Sequence, residues 1–153
     1  MADIALVWDN TTGTADLALT SGDLQVDQGL ITAVIVSLFT DRLAESGDVI
    51  PDGTTDRRGW WGDLPLDSAD ETSGQPDRIG SRLWLLDRAL QTQETLTNAE
   101  RYASEALAWM VTDGVADSVS ATASFPQLGW LELKISMTQS SNSTVFKVQW
   151  QYS

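Results

Sequence analysis

The chain contains no histidine and no cysteine among its 153 residues. Without histidine there is no Ser-His-Asp or Cys-His nucleophilic system, and the commonest metal ligand is missing. Without cysteine there is no disulfide framework and no thiol chemistry, which fits a reducing compartment. A G-x-S-x-G elbow, a phosphate-binding loop and a G-x-G-x-x-G turn are also absent, and the carboxylates of 41–56 do not follow EF-hand spacing. The N-terminus Met1-Ala2-Asp3-Ile4 lacks the basic and apolar regions of a signal peptide. The longest apolar-rich run, Leu30 to Phe39, is too short to span a bilayer, so no membrane role is expected.

Basic charge is also scarce. Lysine and arginine total 9 against 22 acids, for a formal net charge of −13, and Lys134 and Lys147 are the only lysines. That field repels phosphate backbones, which argues against a nucleic-acid partner. Hydrophobic residues make up 42% and charged residues 20%, an ordinary globular balance, and the length fits one domain over 1–153. An acidic surface by itself serves solubility.

Residues 4–8 read as a strand, followed by the turn cluster Asp9–Gly13. Residues 16–20 and 23–27 alternate around Ser21-Gly22, so 15–27 reads as a hairpin. The period then changes. Ile31, Val34, Ile35, Leu38 and Arg42 share a helical face and predict a helix over 29–44, with Asp27 or Gln28 near its start. Residues 45–76 are turn-rich, with an extended stretch expected near Gly59–Leu66. Ile79, Leu83, Leu86 and Leu90 predict a helix over 77–93 capped by Asp77. Thr97-Asn98-Ala99-Glu100 has the form of a capping box opening a helix to about Asp113, with Gly114 just past its end. The segments 115–125, 130–137 and 145–152 each alternate apolar and polar residues and predict a three-stranded antiparallel meander. The expected fold is α+β: N-terminal short strands, a helix, a long Arg/Trp loop, two helices, and a C-terminal meander covered by helices.

Two features point to protein interaction. In the long loop, Arg57, Arg58, Gly59, Trp60, Trp61, Gly62 and Asp63 combine arginine with twin tryptophans, a composition favoured at interfaces. Alternation along an extended backbone would turn one indole inward and the other outward. A plug against the chain's own core is equally compatible with the loop. In the last strand, Val145, Lys147, Gln149 and Gln151 lie on one side of what would be a sheet edge, a ready surface for strand addition. The enzymatic alternative is a carboxylate-dependent glycan hydrolase, with Asp63 beside Trp60-Trp61 and Glu45 or Asp56 as partner. With 22 acids in the chain, such a pairing is expected by chance alone.

Ser37-Leu38-Phe39-Thr40-Asp41-Arg42, Pro51-Asp52-Gly53, Arg58-Gly59-Trp60-Trp61-Gly62-Asp63 and Gly80-Ser81-Arg82-Leu83-Trp84-Leu85-Leu86 occur in this order. Together they resemble the Mu-like phage tail baseplate family, which is grouped with the lysozyme-like baseplate wedge proteins of contractile tails. The resemblance implies a non-catalytic structural role without cofactors. It implies a place in the virion tail baseplate, assembled in the host cytoplasm in several copies. The partners it implies are other wedge proteins, the tail sheath protein, and the tube or hub, with sheath assembly started by strand pairing. It adds Arg82 and Trp84 to the interaction residues. The wider group carries a Glu-Pro-Arg or Gly-Glu-Arg triplet that this chain lacks; Arg57 or Arg58 is the nearest counterpart in position.

Overall fold

A computed structural model describes residues 3–24, 26–27, 30–63 and 78–152. The N-terminal part forms three short antiparallel ladders: β1 (Asp3–Ile4) with β6 (Val26–Asp27), β2 (Leu6–Asp9) with β3 (Thr14–Leu17), and β4 (Leu19–Thr20) with β5 (Asp23–Leu24). The segments 3–9, 14–20 and 23–27 are thus linked pairwise. The breaks fall at Ala5 and Ala18, where the Ala18 amide donates to the Ala5 carbonyl at 3.0 Å. The expected hairpin turn at Ser21-Gly22 is present, and the ladder through β2 and β3 adds a second.

Helix α1 spans Ile31–Phe39, shorter than the 29–44 that its apolar face suggested. Thr40 turns extended because tertiary pairing wins over propensity. The Ser81 amide donates to the Thr40 carbonyl at 2.9 Å, the Arg42 amide donates to the Ser81 carbonyl at 3.0 Å, and Asp41 forms a parallel bridge with Ser81. Gln28, one of the two expected start residues, lies outside the described residues.

The expected helix over 77–93 is replaced by a single 3-10 turn, Leu83–Leu86. Leu83, Trp84 and Leu86 are buried there, whereas Ile79 and Leu90, the ends of the supposed stripe, are exposed. The Asp77 cap lies outside the described residues, as does 64–66 of the expected extended stretch; within 59–63 the chain is a turn, not a strand.

Helix α2 spans Gln93–Thr112 and starts earlier than the capping box implied. Its N-cap is Thr92, whose hydroxyl accepts from the Thr95 amide at 3.2 Å. Thr97 sits inside the helix and donates to the Gln93 carbonyl, while Glu100 reaches out to accept from the Ala123 amide at 2.9 Å. The other end follows expectation. Gly114 adopts φ +71°, the Gly114 amide donates to the Val111 carbonyl, and the Val115 amide donates to the Met110 carbonyl, a Schellman pattern.

The meander is β7 (Ser118–Ser124), β8 (Trp130–Gln139) and β9 (Asn142–Gln151), in the order β7-β8-β9. Its second turn is the pair Ser140-Ser141, both left-handed at φ 47° and 71°, which the twist of a two-residue hairpin requires. Both helices lie on its apolar side. Val34 and Leu38 of α1, Leu107 and Met110 of α2, Leu131, Leu133 and Ile135 of β8 and Val148 of β9 form one buried cluster. Each such side chain contributes about 1.5–3 kcal/mol when removed from water. The opposite face of the sheet carries the hydroxyls of Ser118, Ser120, Thr122, Ser136 and Thr138.

Phe39 at the end of α1 joins the N-terminal ladders to the meander. Its ring stacks on Trp8 at 3.9 Å and meets the Trp150 ring edge-on at 5.3 Å. The Trp8 indole donates to the Gln149 carbonyl at 3.0 Å, and Asn10 Oδ1 accepts from the Gln149 amide at 2.8 Å.

Candidate protein-interaction site

Three of the four resembling segments meet beneath the long loop. Gly80-Ser81-Arg82 lies beside Thr40-Asp41-Arg42 through the bridge just described. Arg57 clasps the next turn of chain: its guanidinium donates Nε–H to the Ala44 carbonyl at 2.8 Å, and its own carbonyl accepts from the Ala44 amide at 2.9 Å. Arg58 is left-handed at φ 51°, a conformation that costs roughly 1–2 kcal/mol in a residue with a Cβ. It is held there by its amide donating to Asp56 Oδ1 at 2.9 Å and by Nη1 donating to Asp41 Oδ2 at 2.8 Å. Its guanidinium also lies 4.4 Å from the centroid of the Trp84 ring. Trp84 is buried and donates Nε1–H to the Arg42 carbonyl at 2.9 Å.

Arg82 is the most enclosed of these cations, at 8% exposure. Nη1 contacts both Asp48 oxygens at 3.0 and 2.9 Å, Nε donates to Glu105 at 3.0 Å, and Glu45 stands 4.0 Å away. The guanidinium lies 4.8 Å from the centroid of the Tyr102 ring. Burial works against the charge, the Asp48 and Glu105 carboxylates more than offset it, and the guanidinium titrates above its ordinary value.

The turn Gly59–Asp63 sits on this framework. The Asp63 amide donates to the Trp60 carbonyl at 3.0 Å, and Asp63 Oδ1 accepts from the Ile79 amide at 3.0 Å. Asp63 therefore ties the loop to the strand-like segment around Ser81. The carboxylates once considered as its partners go elsewhere: Asp56 to the Arg58 amide, Glu45 toward Arg82. The Trp60 ring covers Gly62 and is half-buried. Trp61 is tilted against it at 5.2 Å between centroids and is 91% exposed.

Arg57, Arg58, Arg82, Trp84 and Asp63 are thus drawn into one intramolecular framework, and Trp61 is the member of the set most fully presented to solvent. An Asx turn and an ST turn give the preceding loop its shape: Asp52 Oδ1 accepts from the Thr54 amide at 2.9 Å, and the Thr54 hydroxyl accepts from the Asp56 amide at 3.2 Å.

Asp87 packs near Arg58. Burial raises its carboxyl above the ordinary range; Arg58 opposes the shift, Asp41 adds to it, and Arg88 opposes it. Its ionisation therefore disfavours folding, and the folded state loses stability as pH rises from the unfolded Asp value through the raised folded one. Asp87→Asn is expected to melt higher than the parent at pH 7, with the gap closing toward pH 3. A gap that widens on acidification would contradict this.

The second surface is the β9 edge. Gln149 uses its amide and carbonyl on the outer side, toward Asn10 and Trp8. Backbone groups two residues apart point the same way, so Val145 and Lys147 also face outward. Among the described residues nothing else occupies those outward groups. Of the four edge residues read from the sequence, Val145 and Lys147 are open and the Gln149 backbone is taken by the chain itself. Gln151 lies where Gly13 packs against the edge, since a Cβ added to Gly13 would stand 3.1 Å from Trp150 Cα. The role of Trp8 and Asn10 in covering this edge was not read from the sequence; a tryptophan followed two residues later by an asparagine in a turn is its only local signal.

Residues 30–144 match the family described as Phage protein GP46. The chain is 43% identical over 145 residues to a protein named Baseplate protein gp46 of Escherichia phage Mu, covering 95% of this chain and 92% of that one. It is 41% identical over 153 residues to Mu-like prophage FluMu protein gp46 of Haemophilus influenzae, covering 98% of each. The match begins at α1 and takes in the whole Arg/Trp framework. The chain belongs to the phage protein GP46 family, the Mu-like group that its Arg-Gly-Trp-Trp-Gly-Asp and Gly-Ser-Arg-Leu-Trp-Leu-Leu segments resemble.

Proposed function

We propose that this chain is a non-enzymatic structural component of a contractile-tail baseplate. It acts as one wedge domain, binds neighbouring wedge proteins near the tube, and starts sheath assembly by offering β9 to an incoming strand. The observation that carries the reading is the open outer backbone of Val145 and Lys147 at the end of the β7-β8-β9 order. The baseplate name borne by the phage Mu relative supports it. Trp61, almost fully exposed on a braced turn, suits a contact with a wedge partner.

Proline at Val145 removes an amide that no ladder bond uses, so the fold should tolerate it. Val145→Pro is expected to melt within a few degrees of the parent. Tails assembled with it are expected to carry baseplates without sheath under the electron microscope. Normal sheathed tails would exclude strand pairing at this edge. Trp61→Ala is expected to leave melting unchanged and to reduce incorporation into baseplates. Turnover of peptidoglycan by the purified chain, lost in Asp63→Asn, would overturn the non-enzymatic reading.

A further inference from the structure

The chain's two lysines face each other. Lys134 of β8 is directly opposite Lys147 of β9, both are exposed, and both lie on the face that no helix covers. Gln149, two residues on, is a non-hydrogen-bonded neighbour of Glu132 by the same outward geometry. Lys134–Lys147 is then also a non-hydrogen-bonded pair, the closer of the two antiparallel spacings. Like charges in that position destabilise a sheet.

Among the described residues no carboxylate is paired with either of them. The ion pairs among the described residues involve only arginines. The nearest acid on the same face, Glu132, is engaged by the Gln149 amide group. The surroundings are flat and small: Thr122 is opposite Lys134 on β7, and Ser136 is opposite the exposed Val145. An uncompensated positive pair on a protein of net charge −13 therefore stands beside the stretch of β9 that is open.

We infer that the segment received at the β9 edge is an acidic strand, with a carboxylate opposite Lys147 and an apolar residue opposite Val145. This rests on the strand-pairing reading above and specifies its partner. An added strand lies one spacing, about 4.8 Å, beyond β9, which puts a facing carboxylate within reach of the Lys147 ammonium, while Lys134, one strand further back, adds to the positive field it meets. The competing role for Lys147 is a guard that keeps stray strands off an open edge. The two roles predict opposite signs.

The test uses the full chain and three synthetic ten-residue peptides, alternating valine and threonine, that differ at one central position bearing glutamate, glutamine or lysine in place of a valine. Binding is followed by amide shifts along β9. The glutamate peptide is expected to bind about two- to fivefold more tightly than the glutamine peptide, from one facing charge pair. That preference should shrink as salt rises and vanish in Lys134→Gln/Lys147→Gln, whose melting temperature should not fall. Equal binding of the glutamate and glutamine peptides, or tighter binding of all three after Lys147→Gln, overturns the acidic partner and leaves strand addition standing. If no peptide shifts β9, or if Val145→Pro binds them unchanged, strand addition at this edge fails and the inference fails with it.

Discussion

Alanine at Gly80 is expected to destabilise the protein by about 4 kcal/mol, from backbone strain of ~1–3 kcal/mol and two weakened hydrogen bonds of ~1 kcal/mol each. Gly80 sits at φ +100°, and a Cβ there would stand 2.3 Å from the Thr40 carbonyl oxygen and 3.1 Å from the Arg42 nitrogen. Those are backbone atoms of the parallel bridge, so no side chain can swing aside to make room. The bridge must open, and it carries the Ser81 to Thr40 and Arg42 to Ser81 bonds together with the position of Arg82. Gly47, which has open space and no positive φ, is the control: Gly47→Ala should change stability by less than about 0.5 kcal/mol. Urea unfolding of the two variants decides it. A Gly80→Ala loss under about 1 kcal/mol would mean that the two segments are not held in this contact.

Arg82→Met is expected to cost about 3 kcal/mol, the lower end of the range for breaking a buried ion pair, because the Asp48 and Glu105 side chains keep 14% and 25% exposure. For a chain of this length that is a fall of roughly 6–12 °C in melting temperature. The loss comes less from the attraction removed than from the carboxylates left behind: Asp48 keeps only the Glu45 amide, and Glu105 keeps the Arg42 guanidinium at 3.8 Å. Lysine should not restore it, since a single ammonium cannot reach Asp48 on one side and Glu105 on the other. Removing the acids as well, in Arg82→Met/Asp48→Asn/Glu105→Gln, should recover part of the loss. If the triple variant is no more stable than Arg82→Met alone, the carboxylates deprived of Arg82 are not the cause.

Why the meander was legible and the middle of the chain was not follows from what each segment leans on. The residues of β7, β8 and β9 alternate because one face meets the helices and the other meets water, so the period is written into each strand separately. The close of α2 is equally local, a glycine in the left-handed conformation one residue past the last turn. Residues 77–93 have apolar spacing that a helix would use, yet Ile79 is the anchor for Asp63 and Ser81 is paired with Thr40 and Arg42. Those contacts join residues 16 to 41 positions apart, and nothing in either segment alone announces them. The start of α2 was misread for a smaller reason: Thr92 and Thr97 both offer a cap, and only Thr92 is followed by free amides.

The interaction residues divide in the same way. An Arg-Trp loop has the composition of an interface, but the same groups serve a framework when carboxylates, carbonyls and a ring wait inside the chain for them. Arg57 finds the Ala44 carbonyl, Arg58 finds Asp41 and Trp84, and Arg82 finds Asp48 and Glu105. Composition cannot separate the two uses. Among the described residues Trp61 meets no such internal partner apart from its neighbour Trp60.

The hairpin that carries Trp8 and Asn10 has one more consequence. By holding Gln149 and bringing Gly13 against Trp150, it acts as an end-stop on β9. A strand laid along this edge can travel toward the C-terminus only as far as Lys147 before meeting the hairpin. A slip of one residue would turn every side chain of that strand to the wrong face. The alignment of such a strand is therefore measured from a fixed wall supplied by the first dozen residues of the chain, so a long and otherwise uniform edge offers one place to begin.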